Sequence, residues 1–183
     1  MSDGASGRYR AGETALLAVV KEAEPLVGPW RQRFDSFAAS GVPAHVTVLV
    51  PFLDVDRIDA AVTDELGALF GRHAPFAVRF DSCRRFPDVL YLAPAPDAPF
   101  RALTEAVVAR WPEAPPYGGQ FAEVVPHLTV AHGREAHVLD EVEAALTAGL
   151  PVTADVTSVS LFATDGDRWH QRAEFPLLGP TPF

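Results

Sequence analysis

The sequence predicts an α+β protein: two packed halves of strands and helices, with a cleft between them lined by the motif strands. Three observations predict it. Apolar runs of strand length alternate with helix-like stretches. The order strand, helix, strand, helix, strand occurs twice. One short polar pattern, His-x-Thr in a strand-like run after a proline turn, stands in each copy: His45-Val46-Thr47 and His127-Leu128-Thr129, 82 positions apart.

Residues 14–20 (TALLAVV) form a continuous apolar run, the signature of a buried strand. Glu22 to Phe37 carries helix-like spacing at Leu26, Trp30, Phe34 and Phe37. Pro25 suits a first turn, whereas Pro29 argues against one straight helix. After the turn Gly41-Val42-Pro43, the first motif strand is expected over His45–Phe52. Asp54 or Asp56 can cap a helix over residues 57–70, whose Ile58, Val62, Leu66 and Leu69 make one apolar stripe. A strand over 75–83 alternates Phe76, Val78 and Phe80 against Arg79 and Asp81.

After Arg84-Arg85-Phe86-Pro87 the order begins again. A strand is expected over 89–93 and a helix over 98–111 capped by Asp97, with Leu103, Val107 and Trp111 at four-residue spacing. Residues 112–119 are a Pro/Gly loop. The second motif strand runs over 127–131 and a helix over 135–148. Residues 152–163 and 168–177 read as a terminal hairpin turning at Asp165-Gly166-Asp167. The organisation expected is a flexible N-terminus over 1–12 and a single bilobal domain over 13–183. Its approximate repeat halves are 14–83 and 88–163.

Residues two apart on a strand share a face. Each motif therefore presents an imidazole beside a hydroxyl, while Val46 and Val48, or Leu128 and Val130, face the other way. A single His-x-Thr is most simply a half-buried strand satisfied by its neighbours. Two copies with matching flanks say more. Two imidazoles titrating near neutrality can act as general base and general acid in one displacement, and two hydroxyls can donate to phosphate oxygens.

Composition limits the alternatives. The 183-residue chain is 48% hydrophobic and carries a formal net charge of −9, which argues against broad nonspecific nucleic-acid binding. Cys83, the only cysteine, excludes an intramolecular disulfide and a cysteine metal cage. It adjoins Arg84 and Arg85, which can lower a thiol pKa, although a lone strand cysteine is usually a packed one. No His-Glu-x-x-His or Asp-rich loop is present, so no metal is expected, and Gly118-Gly119 lacks the Gly-Lys-Ser/Thr ending of a phosphate loop. The start of the chain reads as neither signal peptide nor membrane anchor, so a cytoplasmic location is expected. His73, His132, His137 and His170 lack a companion at ligand spacing.

The paired motifs, with Pro51-Phe52 behind the first and Pro126 ahead of the second, resemble the two-histidine phosphoesterase superfamily. The likeness is to its bacterial 2′-5′ RNA ligase and cyclic phosphodiesterase type. It extends to Phe86-Pro87-Asp88-Val89-Leu90-Tyr91-Leu92 and covers nearly the whole chain after Glu13, though only the two motifs are specific.

The resemblance implies a bilobal α+β fold of duplicated antiparallel sheets with pseudo-twofold symmetry, helices outside and a central cleft carrying both motifs. It also implies opening of 2′,3′-cyclic phosphates, or reversible 2′-5′ joining, without a cofactor. His45 and His127 would be the acid–base pair, and Thr47 and Thr129 would hold the phosphate. His127 would serve as base for the attacking water and His45 as acid for the 2′ oxygen, roles that the reverse reaction exchanges. Arg84, Arg85 and Tyr117 are further candidates near the cleft, each weighed against a solvated loop residue. The expected partner is a nucleotide or RNA terminus bearing a cyclic phosphate, met by a monomer with no membrane or obligate protein partner. The alternative is a noncatalytic phosphate- or nucleotide-binding module using the same cleft.

Overall fold

In each half of the chain an apolar strand is followed by a helix and then by a motif strand, and this order determines where the motifs sit. The computed structural model describes residues 8–180. Its strands are β1 (Thr14–Val19), β2 (His45–Leu49), β3 (Phe76–Phe86), β4 (Val89–Ala95), β5 (Leu128–His132), β6 (Val152–Val156), β7 (Ser158–Thr164) and β8 (Trp169–Pro176). Its α-helices are α1 (Glu24–Phe34), α2 (Ser36–Ala39), α3 (Ala60–Gly71), α4 (Ala98–Arg110) and α5 (Ala136–Thr147).

The strands form two four-stranded antiparallel sheets, ordered β2-β1-β7-β8 and β5-β4-β3-β6. The expected α+β, duplicated architecture is present. Each motif strand is an edge strand, and β2 lies against β5. The sheets are not the two consecutive halves 14–83 and 88–163. β3 crosses into the second sheet beside β4, while β7 and β8 return to the first beside β1. The helices cross as well: α1 packs on β5, and α4 packs on β2, where Thr104 Oγ1 donates to the Val48 carbonyl at 2.7 Å.

Alternation decides which side chains are core. Val46, Val48, Leu128 and Val130 are buried in one continuous cluster with Leu16, Ala18, Leu90 and Leu92. His45, Thr47, His127 and Thr129 between them are only half-buried. A substitution that slipped either strand by one residue would put its polar pair into this core.

Several boundaries differ from expectation for local reasons. The first helix tolerates Pro29 and stops instead at Asp35, whose extended backbone ends α1 and whose carboxylate accepts from Phe37 N at 3.1 Å to cap α2. β2 ends at Leu49 because Pro51 has no N–H to donate to the ladder. Neither Asp54 nor Asp56 caps α3; Asp59 does, accepting from Val62 N at 2.9 Å. The Asp97 side chain caps no N–H of α4 and pairs with Arg101 instead. The Pro/Gly loop contains a short 3-10 turn at Pro116–Gly119.

The stretch 152–163 is two strands, β6 and β7, in different sheets. Residues 1–7 of the expected flexible start lie outside the described residues. Residues 9–12 are tied down, with Tyr9 N donating to Gly166 O, Gly12 N donating to Thr164 O, and the Tyr9 ring packed on Phe37 and Trp169. No helix among the described residues is long and apolar enough to cross a membrane.

Candidate active site

The two motifs use the same local device to aim their histidines. His45 Nδ1 is 2.8 Å from the Pro43 carbonyl, and His127 Nδ1 is 2.7 Å from the Val125 carbonyl, each two residues back along the chain. A carbonyl only accepts, so each Nδ1 carries the hydrogen and each neutral ring presents a bare Nε2. The imidazoles are close enough that a charge on His127 disfavours one on His45. The four residues read from the sequence as the site are brought together at the facing edge strands, with His45 and Thr47 on β2, Thr129 on β5, and His127 immediately before β5, which starts one residue later than expected.

The surroundings of the two rings differ. Burial first, then the Arg31 guanidinium, then His127 push His45 down to about 3, against the pull of the Pro43 carbonyl. Arg31 is itself buried, its Nη2 on the Asp35 carboxylate at 3.1 Å. At His127 burial again lowers the pKa and the Val125 carbonyl partly offsets it, with no cation among the causes. Its ring is met edge-on by two aromatics, Phe86 at 5.2 Å and Tyr91 at 5.5 Å.

The structure also sorts the further candidates. The Tyr117 hydroxyl has the Thr47 side chain as its polar neighbour, and burial raises its pKa. Tyr117 is held there with φ at +51°, its N–H donating to the Val50 carbonyl at 2.7 Å. A non-glycine residue in that conformation is uncommon and clusters at sites where surroundings enforce it. Arg84 pairs in register with Tyr91, which pairs with Thr129, so the three form one row across β3, β4 and β5 on the motif face. Arg85 is excluded, since it is committed to Asp140 and Glu143 on α5.

Cys83 is no activated thiol. Burial and the Glu143 charge outweigh Arg85 and push it up to about 11. His132, His137 and His170 lie near Asp88, Glu135 and Asp165 on the surface, and His73 sits beside Arg72 after α3. Sequence reasoning had no signal for Phe86 and Tyr91 as ring neighbours of His127, nor for Arg31 behind His45. Strand register and tertiary packing create those contacts.

The model of the 2′-5′ RNA ligase superfamily matches residues 19–168. Among solved structures, the chain is similar to Escherichia coli LigT complexed with 3′-AMP, at 17% identity and TM-score 0.57, over 92% of this chain and 99% of that one. It is similar to TT0787 of Thermus thermophilus at 19% identity and TM-score 0.57, over 91% and 98%. LigT complexed with ATP matches at 18% identity and TM-score 0.55, over 92% and 99%. At these identities the likeness is one of fold. No curated protein sequence matches the chain.

Proposed function

The chain belongs to the 2′-5′ RNA ligase superfamily, and from that premise we propose that its cleft opens, or reversibly forms, a cyclic or 2′-5′ phosphodiester at a nucleotide or RNA end. The observation that carries this reading is the matched pair of Nδ1–carbonyl hydrogen bonds, which leaves two bare Nε2 atoms on facing edge strands. Family membership supports a phosphoesterase or RNA ligase-like activity in general. The nucleotide class of the substrate is the one held in the LigT complexes with 3′-AMP and ATP.

In ring opening, water adds to phosphorus and gives its proton to one Nε2. The other ring enters the step as the imidazolium, having taken a proton from solvent at Nε2, and gives that proton to the ribose oxygen as the P–O bond breaks. Thr47 and Thr129 donate to the non-bridging oxygens, and Arg84 and Tyr117 add a cation and a phenol at the rim. These side chains supply each proton transfer the step requires. Burial and the Arg31 charge repel a proton from His45, so a proton on the pair goes first to His127. That favours His127 as the acid and His45 as the base, the reverse of the polarity implied by the family resemblance. Both motifs lie in one chain, so a monomer suffices.

The test is a panel of 2′,3′-cyclic nucleotides and cyclic-phosphate RNA ends assayed in excess chelator. Wild type should turn over at least one of them undiminished by chelator, and His45→Ala and His127→Ala should not. Full activity in either variant, or dependence on a divalent ion, contradicts the mechanism. Nucleotide binding without turnover in the wild type points to the noncatalytic binding module.

A further inference from the structure

An arginine stands behind each motif in the same relation to it. Arg31 on α1 donates from Nη1 to the Val42 carbonyl at 3.2 Å. Arg101 on α4 donates from Nη1 to the Val124 carbonyl at 2.9 Å. Val42 and Val124 are each three residues before the motif histidine, and the next carbonyl along, Pro43 or Val125, is the one that fixes its Nδ1. Both arginines sit on the helix that leads from the first strand of their repeat to its motif strand, β1-α1-β2 or β4-α4-β5. Each also pairs with a carboxylate one helical turn away: Arg31 with Asp35 at 3.1 Å, Arg101 with Asp97 at 3.0 Å.

We propose that Arg31 and Arg101 are paired positioning residues, each clamping the backbone that orients the imidazole of its own motif. This rests on the two-histidine reading of the cleft and adds residues to it. Two further observations support the assignment. The buried Arg31 leaves its Nε with no hydrogen-bond partner, and a buried ion pair such as Arg31 with Asp35 is one that two hydrophobic side chains of similar volume, replacing both partners, often match or better for stability alone. At 2% exposure Arg31 is also shut off from any ligand. The second observation is a neighbouring contact: Glu24, beside Arg31, accepts from Ala44 N, so residues 42 and 44 are both pinned and Pro43 between them has little freedom.

The crossing of the helices gives the clamps a second role. α1 holds the turn before β2 while lying on β5, and α4 holds the segment before β5 while lying on β2. Each helix thus ties one motif to the other, and the separation of the two imidazoles depends on both clamps.

The deciding variant is Arg101→Met, because this side chain is one-third exposed and its loss leaves no deeply buried charge unpaired. Nitrogen-15 NMR of the histidine rings reports tautomer and pKa residue by residue, with no substrate present. The expected result is an Nε2-protonated population appearing at His127 with His45 unchanged. Turnover of a 2′,3′-cyclic nucleotide should fall about 10-fold or more in kcat with KM little changed. Arg101→Lys, which keeps one donor, should recover part of both.

Arg31→Lys should move His45 and leave His127 alone; if it does not fold, the Arg101 pair decides. An unchanged His127 ring in Arg101→Met, or equal changes at both rings, overturns the proposal. A wild type that turns over no cyclic phosphate defeats the functional reading, while the ring tautomers still test the clamp.

Discussion

The first and second motifs share a frame and differ in what stands behind it. In both, the histidine is fixed through Nδ1 by the carbonyl two residues back, with a threonine beside it and core valines or leucines on the opposite face. Behind the first lies a buried ion pair, Arg31 with Asp35. Behind the second lie a partly exposed pair, Arg101 with Asp97, and the rings of Phe86 and Tyr91. The difference teaches how a duplicated frame comes to treat its two histidines unequally. Backbone geometry gives both imidazoles one orientation, and burial together with the Arg31 charge behind the first gives His45 the lower affinity for a proton.

The largest effects should come from the histidines themselves. His45→Ala and His127→Ala should each lower turnover of a 2′,3′-cyclic nucleotide by about 10²–10⁴-fold. A nitrophenyl phosphodiester, whose leaving group needs no proton, separates their roles. On it His127→Ala should lose far less than His45→Ala, and the opposite ranking would restore the polarity implied by the family.

Next is stability. Arg31→Met strands Asp35 in the interior and should cost about 3–5 kcal/mol, while Arg101→Met should cost about 0–1 kcal/mol. Urea midpoints measure both, and equal costs would erase the distinction drawn between the two ion pairs.

The threonines come third. A hydrogen bond to a charged group is worth about 1.5–3 kcal/mol, so Thr129→Val should lower kcat/KM about 10–100-fold. Tyr117→Phe should cost only a few-fold while Thr47 remains.

The last effect is one of pH, and it grows only as the medium is acidified. The pKa of His45 is near 3 in the folded chain and about 6.5 when unfolded. Below pH 6.5 the unfolded state therefore binds the extra proton, and stability is lost as pH falls through that value. The loss amounts to about 2 kcal/mol by pH 5. His45→Gln should flatten this part of the stability curve, and an unchanged slope would place the acid sensitivity elsewhere.

Much of the frame was legible in the sequence because period-two alternation is local. The face carrying His45 and Thr47, and the core role of Val46 and Val48, follow from residue type and spacing alone. The cap of α3 did not, since Asp54, Asp56 and Asp59 are equally good capping residues within six positions. The split of residues 152–163 was invisible for another reason: Val156 and Val159 are both buried strand residues, and no residue between them signals a change of sheet.

The clamps left no pattern either. Arg31 precedes its histidine by 14 positions and Arg101 by 26, and both act on backbone carbonyls, which every residue carries. Arg84 and Arg85 were alike in sequence. Only β3 register and the carboxylates of α5 separate the one in the motif row from the one already paired.

The measurement that bears most directly on the account is a nitrogen-15 NMR titration of the wild-type histidines, without and with inorganic phosphate. The account predicts Nδ1-protonated neutral rings at both motifs, His45 titrating well below His127, and both values rising when phosphate enters the cleft. An Nε2-protonated ring at either motif, His45 titrating at or above His127, or two rings indifferent to phosphate would contradict it.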